Sequence, residues 1–274
     1  MNTRPAYVAG QFYPDDPHEL RRVVARYIDN AALQATAPLP KVMIAPHAGY
    51  IFSGPTAGYA YARIRNASPG RVVLLGVSHH RRFDGISFFN GHAFQSPLGD
   101  MPLDTAFLNK MAAEFPSELP QAHDYEHTLE VHIPFIQEGM NNTLVAPLLF
   151  GARAGDFHVE FGRRLADILN PDDIVIASTD LSHFLSEKEA NAVDRHTIEI
   201  ILSGDIDRLI RELRNETCSM CGGAAVVAAL ACAAAQDANT RILLDYRTSA
   251  QVSGDYGRVV GYAAIAIEQD KERS

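Results

Sequence analysis

Short, almost uniformly apolar runs alternate along this chain with longer stretches in which apolar positions recur every three or four residues. Between Pro17 and Ala35, Leu20, Val23, Val24, Tyr27 and Ile28 form a stripe at helical spacing, and the segment PLP at 38–40 stops it. KVMIAP at 41–46 predicts a buried strand, HAGYIFSGP a glycine-bearing loop, and 56–65 a helix. The strand-then-polar-turn arrangement recurs at Val72–Val77, at 142–150 and at Ile174–Ala177. Gly85–Phe89 reads as a further strand, and a helix begins near Asp104. Helices are also expected over Phe157–Leu169, twice within 187–214 with a break at Ser203 and Gly204, and over 223–235; strands at Arg241–Tyr246 and Val259–Ile267 close the chain.

Strands that are apolar throughout, rather than at alternate positions, are buried on both faces, as in parallel sheets covered by helices. The expected fold is therefore a layered α/β/α sandwich around a central mixed, largely parallel sheet. Residues 1–274 are read as one domain, because nothing in the pattern forces a split.

Charge narrows the function classes. With 24 Lys and Arg against 33 Asp and Glu, the formal charge is −9, so no direct nucleic-acid binding is expected, since such binding needs a concentrated positive face. The opening residues lack an apolar signal core, and the apolar stretch 222–235 is too short to span a bilayer, which makes a cytoplasmic location without membrane attachment the expectation. Three clustered cysteines, Cys218, Cys221 and Cys232, are too few to staple a chain of this size and are read as reduced thiols. Cys218 and Cys221 have C-x-x-C spacing with no second pair to complete a four-cysteine zinc site, and Cys232 lies within an alanine-rich helix as a packing residue.

Ligands of layered α/β folds bind beyond the carboxyl ends of the strands, and three such ends here carry histidine: His47, His79 with His80, and His183. Adjacent side chains of an extended segment point opposite ways, so one of His79 and His80 enters a shared pocket. Asp180 and His183 fall on one face if Ser178 or Thr179 caps a helical turn, where the carboxylate either binds metal or orients the imidazole. Cys221, at the start of the 223–235 helix, would have its thiol pKa lowered by helix amides and serve as a thiolate ligand or a nucleophile. His123, Glu126 and His127 spell the inverted zinc-protease motif H-x-x-E-H, but Pro134 curtails any helix there; Glu126 and His127 read better as pocket groups, with His132 as a proton-transfer candidate.

The segments HAGYIFSGP, LLGVSHH, DYEHTLEVHIPF, STDLSHF and MCGG, in this order, resemble the Memo family, from AGQFYP near the start to VVGYAAIAI near the end. The resemblance implies a fold and pocket position similar to class III extradiol dioxygenases of the LigB type, which are non-haem iron enzymes. It implies metal ligands at His47, His79, His183 and Cys221, with Asp180 beside them; Thr128 stands where the family has serine, and Cys218 lies outside the family pattern. Fe(II) is the expected metal, with copper or zinc as alternatives.

An extradiol site uses two histidines and a carboxylate, and exchanging the carboxylate for imidazole or thiolate shifts preference toward softer metals. Likeness of fold is thus a stronger inference than likeness of activity. The leading expectation is a metal-dependent oxidoreductase acting on a small aromatic or otherwise oxidisable substrate, with His127, His132 and Asp180 as its catalytic groups. The alternatives are a non-catalytic iron or copper redox protein with a protein partner, such as a radical enzyme, and a peptide-binding scaffold that retains the pocket.

Overall fold

A computed structural model describes residues 2–31, 39–115 and 119–269. Its main sheet is built from β2 (Val42–Ala45), β3 (Arg71–Val77), β4 (Ile86–Phe88), β7 (Leu144–Phe150), β8 (Ile174–Ser178), β10 (Thr240–Thr248) and β11 (Val259–Glu268), in the order β10-β11-β2-β8-β3-β7-β4. The four strands β2, β8, β3 and β7 run parallel, while β10, β11 and β4 add antiparallel edges. The short β9 (His183–Leu185) pairs with β11. Every side chain from Val72 to Val77 is buried, as the uniformly apolar runs require of strands covered on both faces.

Helices flank the sheet. On one side α8 (Gly223–Ala235) packs on β2, β3, β7 and β8 and against α5 (Asp156–Ile168); α6 (Glu187–Ser203) and α7 (Ile206–Arg214) continue this layer. On the other, α2 (Tyr50–Ala62) lies over β2, β10 and β11 and against α1 (Pro17–Asn30), which in turn meets α4 (Ile133–Gly139). The layered mixed sheet is thus the expected one. Asp16 caps α1 with its carboxylate on the Glu19 amide, and Gly204, in the left-handed region at φ 73°, ends α6 where the break was expected.

Several local expectations are corrected. The end of the first helix, predicted to reach Ala35, lies partly outside the described residues. The loop expected over HAGYIFSGP is helical from Tyr50, with Pro55 inside it. The glycines there serve packing: a β-carbon on Gly58 would lie 2.3 Å from the Tyr27 carbonyl oxygen, and one on Gly54 2.4 Å from the Tyr27 ring, so α1 and α2 approach closely only because both are glycine. Pro134 begins α4 rather than ending a helix. A small sheet of β1 (Thr3–Arg4), β5 (Ala93–Ser96) and β6 (Gly99–Pro102) and the strand β9 have no signal in the periodicity, each being four residues or fewer. The helix expected near Asp104 is α3 (Thr105–Glu114), and the Asp104 side chain caps it by accepting from the Phe107 amide.

Register brings the strand ends level. Ala45 pairs with Ser178, and Leu75 with Ala177, so the segments after β2, β8 and β3 emerge side by side along one edge.

Candidate metal centre

The three segments leaving that edge carry His47, Asp180 and His79, and α8 brings Cys221 to them from above the sheet. Its approach depends on Gly222, where a β-carbon would lie 2.2 Å from the Ser178 carbonyl oxygen. A nitrogen of His47, a nitrogen of His79 and the sulfur of Cys221 all fall within 4.8 Å of one another. His47 Nε2 is 3.1 Å from Cys221 Sγ. His47 is buried, and about a third of the His79 side chain reaches solvent.

The surroundings of each ring fix which nitrogen is free. Ser178 Oγ donates to the Thr128 carbonyl at 2.6 Å and therefore accepts from both histidines beside it, His47 Nδ1 at 2.7 Å and His132 Nε2 at 2.8 Å. This network assigns the proton of His47 to Nδ1 and leaves the Nε2 lone pair directed at Cys221. Burial, reinforced by the neighbouring His127, His79, His132 and His183, holds His47 well below the usual histidine range, so it is neutral. His79 Nδ1 lies 3.2 Å from Glu126 Oε1, which leaves its Nε2 free as well. Burial pulls the His79 pKa down, but the hydrogen bond and charge of Glu126 outweigh it and the net shift is upward. Glu126 is itself buried; its hydrogen bonds and charge interactions with His79 overcome the desolvation and hold it at about 2. An imidazole backed by a carboxylate or hydroxyl, with its second nitrogen turned to a common point, is the arrangement metal-binding histidines adopt.

His127 stacks on His79 with ring centroids 4.8 Å apart and lies 5.4 Å from His47. Burial brings its pKa to about 4, with Glu126 opposing, so it stands beside the two rings as a neutral base. Asp180 accepts the His47 amide at 2.8 Å and is pushed to about 7 by burial; its carboxylate holds the turn that carries His47. The helical turn expected at Asp180 does not form, since residues 179–182 are irregular and His183 begins β9. His183 is close enough for its charge to act on His47 and His79, yet it belongs to no group of three donors within 4.8 Å.

His132 is fully buried behind the pocket with both nitrogens engaged, Nδ1 with the Tyr61 hydroxyl at 2.9 Å and Nε2 with Ser178. It touches the centre through Ser178 alone, which makes it a positioning residue rather than a group that moves a proton in the cavity. His123 faces the Ser87 carbonyl, away from His127, so H-x-x-E-H does not converge. His80 is exposed, as is His79, and of the two only His79 belongs to a group of three donors within 4.8 Å. Cys218 lies with His196 and Glu212, apart from Cys221, so the C-x-x-C pair does not act as a unit. The thiol of Cys221 runs opposite to expectation: burial and the nearby Asp180 carboxylate raise it to about 12, outweighing the Asp180 amide 3.3 Å from the sulfur.

A deeper layer fastens the histidine-rich segment. Buried Glu130 accepts the amides of Tyr7 and Val8 and the Tyr13 hydroxyl, and pairs with buried Arg4 at 2.7 Å. Arg4 also donates to the backbone carbonyls of His123 and Glu126. The N-terminal arm is thereby tied to the segment that supplies Glu126 and His127, a connection that no local sequence signal announces.

The model of the Memo-like protein family matches residues 4–266. The chain belongs to the Memo-like family. Among its relatives are MEMO1 family proteins of Methanopyrus kandleri, 34% identical over 98% of this chain and 100% of the relative, and of Methanothermobacter thermautotrophicus, 33% identical over 97% and 100%. A third, from Aquifex aeolicus, is 32% identical over 97% of this chain and 99% of the relative. Among solved structures, an uncharacterized protein of Escherichia coli K12 is similar with a TM-score of 0.45 and 14% identity, over 72% of this chain and 86% of that one. Of the residues the Memo resemblance singles out, His47, His79 and Cys221 form the close group, Asp180 braces it, and His183 stands at its margin. No helix among the described residues is long and apolar enough to cross a membrane.

Proposed function

We propose that the chain is a metal-dependent oxidoreductase whose centre is held by His47, His79 and Cys221, with iron(II) the leading metal and copper the alternative, acting on a small oxidisable molecule. The observation that carries this reading is the convergence of two imidazole nitrogens and a thiol sulfur within 4.8 Å on the wall of an open cavity of about 930 Å³, to which His79 and Cys221 both contribute. Two nitrogens and one sulfur suit a borderline or soft redox metal better than magnesium or calcium, which take oxygen ligands. Such an ion, when bound, supplies Lewis acidity and a one-electron couple.

The protein's own groups do the rest. Ser178 and Glu126 orient the two rings and fix their tautomers. Asp180 holds the His47 turn, and neutral His127, stacked on His79 behind the cavity wall, is the base nearest the two rings and would take up a proton released at the centre.

Metal content of anaerobically purified protein tests the reading. His47→Ala, His79→Ala and Cys221→Ser are expected to lose stoichiometric metal, and His183→Ala to retain it with weakened affinity. Full occupancy in the His47, His79 and Cys221 variants would remove the site. Oxygen uptake by Fe(II)-loaded protein with a panel of catechols then separates turnover from simple metal binding; metal without turnover supports the redox-protein alternative.

A further inference from the structure

The cavity beside His79 and Cys221 is also lined by Arg82, which follows β3, Arg153, which follows β7, and Arg214, which ends α7. Among the described residues none of the three side chains has a carboxylate partner or a hydrogen bond. Arg4, Arg71, Arg164, Arg208 and Arg247 hold carboxylates, whereas among the described residues Arg22, Arg26, Arg81, Arg195 and Arg211 also hold none, so what sets Arg82, Arg153 and Arg214 apart is that they share one cavity. Three exposed arginines from three separate segments thus line one hollow without an ion pair, in a chain whose net charge is −9. Arg214 reaches toward the loop that bears Arg153: its Nη2 is 3.3 Å from where a β-carbon on Gly155 would stand. The two acidic residues on the wall, Asp84 and Glu216, leave the cavity positive on balance. Gly223 and Ala224 also line it, so the 13-residue α8 opens onto it with a first turn that no side chain caps.

We propose that this cavity binds a small organic molecule through an oxyanion head group, carboxylate or phosphate, held by Arg82, Arg153 and Arg214, while the rest of the molecule lies against His79 and Cys221. Guanidinium groups present paired donors that match either oxyanion, and a positive helix terminus adds to their field. A volume of about 930 Å³ admits a metabolite-sized ligand and not a folded partner. The proposal rests on the preceding reading only in taking the far end of the ligand as the reacting end; anion capture itself needs no metal.

The test is calorimetric titration of metal-free, EDTA-treated protein with inorganic phosphate and with malonate at low ionic strength. Binding of at least one probe is expected, phosphate alone assigning a phosphate head group and malonate alone a carboxylate. Arg153→Gln and Arg214→Gln should each weaken it by about tenfold, the loss of one charge-assisted contact, and the triple variant R82Q/R153Q/R214Q should abolish it. Lysine at the same positions should restore part of the affinity by keeping charge without the paired donors. Thermal melting establishes that these exposed substitutions leave the fold intact. No binding of either probe, or equal affinity in the folded triple variant, overturns the proposal. Because the titrated protein is metal-free, the outcome is independent of whether His47, His79 and Cys221 hold an ion, and metal content is measured separately on untreated protein.

Discussion

Ser178 shows how much of the candidate centre depends on a residue that touches no substrate. Its single hydroxyl has one donor and two acceptor positions, and all three are used. Ser178→Ala leaves the Nδ1 proton of His47 and the Nε2 proton of His132 buried without acceptors. A loss of about 1–3 kcal/mol in urea unfolding is expected, together with metal affinity weakened about 10–100-fold in a competition titration. Glu126→Gln should weaken metal binding by a similar factor while His79→Ala removes it, since the glutamine still fills the space but no longer holds the ring as a charged partner. His47, His79 and Cys221 were legible in the sequence because each sits where a buried strand or a tight glycine pair gives way to a turn. Ser178 was visible only as a polar residue at a strand end, which reads equally well as a cap. The depth of His132 was illegible for the same reason: spacing fixes which residues are near a turn, not which nitrogens already have partners.

At the level of elements, the main strands and helices follow directly from the apolar pattern, and one of the misjudged segments is that where glycine and proline serve tertiary contact. Gly54 and Gly58 in α2 admit Tyr27 of α1, a requirement set by a residue about thirty positions away in sequence that no local window contains. Gly58→Ala should force the two helices apart and cost about 1–3 kcal/mol, measured as a shift in thermal or urea midpoint; an unchanged midpoint would mean that α1 can yield without penalty. The arm bearing Arg4 was equally hidden, since its two-residue strand has no periodicity to read. Glu130→Ala leaves Arg4 buried and unpaired and is expected to destabilise the protein by about 3–5 kcal/mol, with accelerated hydrogen exchange in the first residues of the arm.

For the whole molecule, buried neutral histidines set the response to acid. His123 and His132 are fully buried and have pKa values of about 3, against about 6.5 in an unfolded chain. Between those values the unfolded state binds more protons, so their contribution to stability is complete above about pH 6.5 and is lost as pH falls toward 3. Urea unfolding should show a decline on the order of 2 kcal/mol per histidine between pH 7 and pH 5. Glu126, held at about 2, adds a further loss only below about pH 4.5. A flat profile from pH 7 to pH 5 would contradict this assignment. The register that sets His47 beside Cys221 also joins positions 174 residues apart, and the last strand, β11, inserts between β10 and β2, far from its end in sequence. A nascent chain therefore displays strand ends bearing single histidines throughout most of its synthesis, and the completed donor group appears only after the segment around Cys221 has left the ribosome and docked. If the proposed centre holds an ion, its full donor set becomes available only after that segment is made, and a truncated product ending before Cys221 would lack the thiol.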